Sequence, residues 1–252
     1  MDGLECSEIL MSNLEYSGRI DSEYYQKKYL YCQSLVEERI HSKLGEKAEF
    51  LIGPFGSSFD TENYVEQSTF RYIRGQDVKQ YGLRDDVSRY ITQFDFNRLK
   101  KYALKENDIL VSVVGTLGNA CIVQKKDLPA IFSCKSTVVR VTGINSYFLL
   151  SYLNSTFGRD LLLRKERGAI QKGLNRGDLS DLLVPLFSEG FQNNIEAIIK
   201  RSLSLDAEAK RYYEESEQSL NTALGIKSFT PAEKSVSIKL YKASTLNNAE
   251  NY

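Results

Sequence analysis

The residues best suited to chemistry in this 252-residue chain are cations and amides, not acids and nucleophiles. Over 159–176, six basic residues (Arg159, Arg164, Lys165, Arg167, Lys172, Arg176) face two acids (Asp160, Glu166), a net charge of +4. Gln171 and Asn175 lie within that stretch, and Arg74 and Gln76 form a second, shorter pairing of cation and amide. Basic side chains neutralise phosphates and release bound counterions, which favours nucleic-acid binding. Amides at a base edge donate and accept together, as adenine requires. The competing reading of 159–176 is a solvated surface turn. The stretch 189–224 has the opposite sign, with four basic residues against seven acids.

Residue types for catalysis are scarce. His41 is the one histidine, and its place at a polar helix end reads as solvated. Cys6, Cys32, Cys121 and Cys134 are scattered with no CxxC pair, so neither an ordinary zinc site nor a disulfide framework is expected. No phosphate loop or dinucleotide fingerprint occurs. Gly115-Thr116-Leu117-Gly118 reads as a hairpin turn needing positive φ, not as a phosphate cradle. Asp77, Asp85 and Asp86 lack the partners of a nuclease metal site. No cofactor and no catalysis are expected. The 33 basic and 33 acidic residues cancel, so only local charge argues for a polyanion. No apolar run reaches about 18 residues, and Asp2 and Glu5 are unlike a signal peptide. A cytoplasmic protein without a membrane segment is expected.

The elements that must position these residues are legible in part. Residues 23–42 carry a helical pattern, with Tyr25, Tyr29, Cys32, Leu35, Val36 and Ile40 on one face and Gly45 as its stop. Residues 50–52 form a short apolar run. Residues 72–74, 109–114, 120–123 and 137–141 read as strands, the middle two as a hairpin. Asn145 or Ser146 opens a helix, and a further helical turn covers 157–163. Residues 164–178 form a glycine-bearing loop, and Pro185 stops an apolar segment. A strand is expected at 236–241. The fold class expected is α+β: a twisted sheet or small barrel with flanking helices, then one long coiled-coil helix.

That helix spans 188–225. Phe191, Ile195, Ile198, Ser202, Leu205, Ala209, Tyr212, Ser216 and then Ser219 or Leu220 recur in alternating steps of four and three. This is the 3.5-residue period of a coiled-coil seam. Ser188 reads as its N-cap and Gly225 as its C′ residue. Its length is roughly 54 Å at 1.5 Å per residue, more than a globular core needs. Either it pairs with another helix as a spacer, or it lies on its own domain. The small seam residues Ser202, Ala209 and Ser216 permit close approach but bury little.

The motif order resembles a known family. It runs Gly53-Pro54-Phe55-Gly56-Ser57-Ser58-Phe59, then Tyr72-Ile73-Arg74-Gly75-Gln76-Asp77-Val78. Next come residues 104–112 (LKENDILVS), Gly115-Thr116-Leu117-Gly118 and Tyr152-Leu153-Asn154-Ser155. Gln171-Lys172-Gly173-Leu174-Asn175 and Val184-Pro185-Leu186 follow, before Phe191-Gln192-Asn193-Asn194-Ile195. Over residues 18–224 the chain resembles a type I restriction–modification specificity subunit. The lead-in at 18–25 is also similar to segments preceding such domains in fused methylase–specificity enzymes. The resemblance implies a non-catalytic DNA reader that docks an adenine methyltransferase subunit and, in some systems, a restriction subunit. It further implies two recognition domains held apart by paired helices. This chain has one of each, so it reads as a half-subunit that homodimerises to read a bipartite double-stranded site.

The expected domains are a lead-in at 1–20, the recognition domain at 21–187, the spacer helix at 188–225 and a tail at 226–252. DNA contacts are assigned to Arg74, Gln76, Lys165, Arg167, Gln171, Lys172, Asn175 and Arg176. Gln171 and Lys172 are placed on bases, and Arg167, Lys165 and Arg74 on phosphates. The dimer seam is assigned to Phe191, Ile195, Ile198, Leu205, Ala209, Tyr212 and Leu220. The alternatives are a recognition fragment of a fused restriction–modification enzyme, or a coiled-coil interaction protein that touches no DNA.

Overall fold

A computed structural model describes residues 5–55, 58–85, 88–168, 170 and 172–225. The chain divides into two compact units, the first ending at Leu205 and the second beginning at Asp206. The strand expected at 236–241, like Gln171, lies outside the described residues.

The first unit is built in layers around a run that reads as continuously apolar. Strand β5 (Ile109–Ser112) pairs antiparallel with β6 (Ala120–Ile122) on one side and β8 (Ser136–Val141) on the other. Strand β2 (Ala48–Ile52) completes this four-stranded antiparallel sheet beyond β8. Successive strand residues point to opposite faces. Ile109 and Val111 enter one hydrophobic cluster, and Leu110 enters another. A sheet covered on both faces leaves no polar alternation, which is why 109–114 shows none.

The first cluster joins this sheet to helices α2 (Lys27–Glu37), α4 (Ser146–Asn154) and α5 (Thr156–Leu163) through Cys32, Val36, Leu149, Leu150, Leu153 and Leu162. Burying each leucine side chain contributes about 1.5–3 kcal/mol. The second cluster packs the other face against β3 (Phe70–Ile73) and β7 (Ala130–Phe132), which run parallel, with β4 (Tyr90–Ile91) antiparallel beside β3. The outer face of this three-stranded sheet carries Tyr72 and Ile131, covered by Leu99 and, half-buried, Phe96. Phe96 belongs to α3 (Gln93–Arg98), and Leu99 follows it. Among the described residues these are open sheets and not a barrel.

Local signals explain several helix starts. The Asn145 side chain accepts from the backbone of Tyr147 and Phe148 (2.9 and 3.1 Å), and that of Ser155 accepts from Gly158 (3.1 Å). The expected helix at 23–42 is corrected. A 3-10 turn at Ser22–Tyr25 precedes α2, which ends at Glu37, and His41–Lys43 forms strand β1. Strand β1 pairs antiparallel with β9 (Leu183–Pro185), so a distant partner overrides the local period. Ile40, assigned to the buried face, is 79% exposed. His41 is thus an exposed strand residue whose Nδ1 lies 2.8 Å from the Arg39 carbonyl. Gly45 is not a helix stop: a Cβ there would lie 2.1 Å from the Ser180 hydroxyl. Helix α6 (Arg176–Ser180) occupies part of the expected loop at 164–178.

Helix α7 (Glu189–Ala223) forms as expected, opening over Ser188 and followed by Gly225 at φ +71°. In the first unit its turns are fastened to the molecule's own core. Ile195, Ile199 and Leu203 pack against the first hydrophobic cluster, and Asn145 donates to Gln192 (2.9 Å) and Glu196. Ile195, assigned to a dimer seam, therefore lies on the inward face. Phe191 packs at a tilt on Phe187 (4.7 Å between ring centroids) and, like Ile198 and Leu205 one and two heptads further, is exposed. In the second unit Ala209, Tyr212, Tyr213 and Leu220 are all exposed. Pairs at i, i+4 decorate the helix there: Lys210–Asp206 at 2.7 Å and Arg211–Glu215 at 3.4 Å.

Candidate nucleic-acid interface

Four connections meet at the C-terminal end of β5. The Val113 amide donates to the Lys135 carbonyl (2.9 Å), and Leu174 donates to the Val113 carbonyl (3.0 Å). A Cβ on Gly75 would lie 2.6 Å from the Lys135 Cβ, and one on Gly53 would lie 2.5 Å from the Ser133 carbonyl. The segments leaving β2, β3 and β7 and the segment at 172–175 are thereby gathered around the β5–β6 turn. That turn needs its glycines, since Gly115 and Gly118 have φ of +88° and +73°. The Ser112 hydroxyl closes it, donating to Thr116 and accepting from the Asn119 amide (3.1 Å).

Arg74 and Gln76 are brought to this end. The Asp77 carboxylate, itself 2% exposed, accepts from Arg74 Nε (2.9 Å), Nη2 (2.7 Å) and the Arg74 backbone amide (2.9 Å). That pairing raises the guanidinium's pKa and fixes its plane. Gln76 is exposed; with its oxygen turned to Arg74 Nη1 it accepts at 3.0 Å, leaving the NH2 group outward.

Arg167 and Gly173 exchange backbone hydrogen bonds (3.0 and 2.8 Å), which closes a narrow loop with Gly168 at φ +108°. The Arg167 side chain is largely exposed and pairs with buried Asp178 at 3.2 Å. Lys172 is exposed and paired with Glu166, which raises its pKa. Arg176 is exposed at the start of α6.

Two of the assigned residues, Asn175 and Lys165, and two further cations of the basic stretch, Arg159 and Arg164, are engaged within the chain itself. Asn175 is the N-cap of α6: its Oδ1 accepts from the Asp178 amide (3.0 Å), and the Asp178 carboxylate accepts from the Asn175 amide (2.8 Å). Its amide oxygen is therefore engaged by the chain itself. Lys165 does not stand on the open surface. It lines a polar cleft of about 1000 Å³ with Arg19, Lys43, Arg164, Asp178 and Asp181. Burial pushes its pKa down, partly offset by Asp181 and Asp178. Arg159 and Arg164, counted in the basic stretch, also serve the fold. Arg159 donates to the Leu117 and Gly118 carbonyls and to Asn119, and Arg164 to the Tyr24 carbonyl (2.6 Å) and Gln33.

Sequence reasoning missed Lys135, an exposed cation between β7 and β8 whose backbone is held by Val113. A lone lysine between two strands carries no pattern. Among the described residues, no group of three His, Cys, Asp or Glu side chains is placed to hold a metal ion. No described helix is long and apolar enough to cross a membrane.

No protein-family profile matches the sequence, and no curated protein matches it. Among solved structures, the chain is similar to the type I restriction–modification S subunit from M. genitalium, at a TM-score of 0.51 and 16% identity over 73% of this chain and 44% of that one. It is also similar to the type IIG restriction endonuclease BpuSI, at a TM-score of 0.53 and 10% identity over 75% of this chain and 30% of that one. The chain spans less than half the length of either. Over about three quarters of its residues, it has the fold of a type I restriction–modification specificity subunit.

Proposed function

We propose that the chain is the non-catalytic, sequence-specific DNA-recognition component of a type I restriction–modification system. The observation that carries this reading is the likeness of its fold to the S subunit, together with a cation- and amide-bearing loop cluster on one end of the sheet. Gln76, Lys135, Arg167, Lys172 and Arg176 supply donors for phosphates and base edges there. Arg74 acts in place, its plane set by Asp77.

In this reading the chain is a half-subunit, spanning 44% of the S subunit it matches. Two copies pair through α7, and the seam is narrower than the full heptad stripe. Phe191, Ile198, Leu205, Ala209, Tyr212 and Leu220 carry it, while Ile195 serves the domain's own core. A methyltransferase subunit docks on the paired assembly, which in some systems a restriction subunit also joins. The two-fold axis makes the target an inverted repeat with a fixed gap.

The test is reconstitution with a methyltransferase subunit, followed by sequencing of methylated sites. An inverted repeat is expected, and one added heptad in α7 shifts the spacer while the half-sites stay. An unchanged spacer, or a monomer at high concentration in sedimentation, contradicts the dimer. A second reading, a recognition piece of a fused enzyme, is favoured by the likeness to BpuSI. In that case the chain acts only when joined to a methylase.

A further inference from the structure

Helix α3 and the 3-10 turn after it (Lys100–Tyr102) divide cleanly into two faces. Asp95 and Leu99 are buried and Phe96 half-buried. Gln93, Phe94, Asn97, Arg98, Lys100 and Lys101 are all exposed, and on a wheel of 100° per residue they occupy one continuous arc. No acid lies on that arc. Arg98 is engaged, donating to Asp95 (3.0 Å) and to the Ser58 carbonyl (2.8 Å). Among the described residues Lys100 and Lys101 have no carboxylate partner; Lys101 lies over the Tyr102 ring.

The scaffold beneath this face is rigid. Thr92 caps α3, accepting from the Asp95 amide (3.1 Å) and donating to its carboxylate (2.8 Å). Phe96 packs on Phe70 of β3 at 4.6 Å between ring centroids. Phe94, by contrast, is 76% exposed. A solvated helix has no need to place an aromatic ring between two amides and two lysines. Duplex DNA does: amides read adenine, an apolar side chain meets the thymine methyl, and lysines flank the groove on phosphates.

The flanking sequence is basic too: residues 70–105 hold nine basic residues and four acids, a net charge of +5, and Lys79, Arg89, Lys100, Lys101 and Lys105 among them are exposed. We propose that the outward face of α3 enters the major groove of the DNA this chain reads, with Gln93, Phe94 and Asn97 toward the bases and Lys100 and Lys101 on the backbone. The proposal rests on the DNA-reading function above and assigns it a second contact surface besides the loop cluster.

The test uses the full chain, a pool of random-sequence duplexes, and sequencing of the bound fraction. Lys100→Ala/Lys101→Ala is expected to flatten the log–log salt dependence of binding by about 2. Gln93→Ala/Asn97→Ala is expected to lose roughly 5- to 150-fold discrimination at one or two base positions. Both variants should melt like the wild type, since the altered side chains are exposed. If Lys135→Ala weakens binding while the α3 variants behave as wild type, the α3 surface is refuted and DNA reading stands. If the wild type retains no duplex at low salt, both readings fall. If the α3 variants bind DNA normally but no longer co-purify with a co-expressed methyltransferase subunit, the face is a protein-docking surface and the proposal is overturned.

Discussion

Residues 159–176 and residues 70–105 carry similar net charge, +4 and +5, but the fold uses the two stretches differently. In the first, Arg159 and Arg164 are tied to backbone carbonyls and amides, Lys165 faces a cleft, and Arg167 and Lys172 have carboxylate partners. In the second, Lys79, Arg89, Lys100, Lys101 and Lys105 are exposed and, among the described residues, outside any ion pair. Arg71, Arg74 and Arg98 there are paired with particular carboxylates, Asp85 and Asp127, Asp77, and Asp95. A desolvated cation with fixed partners contributes to the fold, whereas a solvated one contributes to the field that a polyanion meets. Net charge in a window of sequence does not distinguish them.

The contrast is most sharply tested at Arg164. It is 6% exposed, donates to Tyr24 and Gln33, and lies 4.0 Å over the Tyr24 ring, so it fastens the 3-10 turn at Ser22–Tyr25 and helix α2 to the end of α5. Arg164→Ala should cost about 3 kcal/mol in urea unfolding, with little dependence on salt. A loss below about 0.5 kcal/mol would place Arg164 with the solvated cations. Asp178→Ala removes a capping box and the partner of Arg167. It should cost about 2 kcal/mol and, by releasing Arg167, tighten binding to random duplex at low salt. Weaker DNA binding by a folded Asp178→Ala protein would mean that the pair orders Arg167 for its contact.

Lys135→Ala combined with Lys172→Ala should leave stability within about 0.5 kcal/mol and flatten the salt dependence of DNA binding by about 2. The smallest effect is expected at the exposed Lys43–Asp181 pair, 2.9 Å apart. The hydrogen bond from Lys43 holds the Asp181 carboxyl below its ordinary value. The pair's stabilisation is therefore present above the unfolded value of about 3.8 and fades as pH falls through the lower folded value. Exposure limits it to at most about 0.5 kcal/mol. Asp181→Asn should flatten the acid limb of a pH–stability curve by no more than that.

What was legible in the sequence was local. The β5–β6 hairpin followed from an apolar run and two glycines. Helix α4 followed from a cap at Asn145 or Ser146, α5 from the helical turn read over 157–163, and α7 from its 3.5-residue period. The helix at 23–42 was overextended because β1 exists only through pairing with β9, some 140 residues away in sequence. Asn175 and Asp178 did carry a readable sign, an N-cap residue with an acid three positions on, which a search for base-reading amides passed over. One residue of the assigned seam lies on the inward face for a physical reason: Ile195, like Ile199 and Leu203, recurs at helical spacing for its own core as well as it would for a partner. Lys135 and the α3 face were illegible because they depend on loops converging in space and on which side of a short helix is covered.

The decisive measurement is the affinity of the full chain for random-sequence duplex DNA, titrated from about 50 to 200 mM salt. DNA reading through the loop cluster and α3 predicts binding that falls steeply with salt, with a slope reduced by alanine at Lys135 and Lys172 and reduced again by alanine at Lys100 and Lys101. Absence of binding at the lowest salt, or a slope that none of the four substitutions alters, would contradict it.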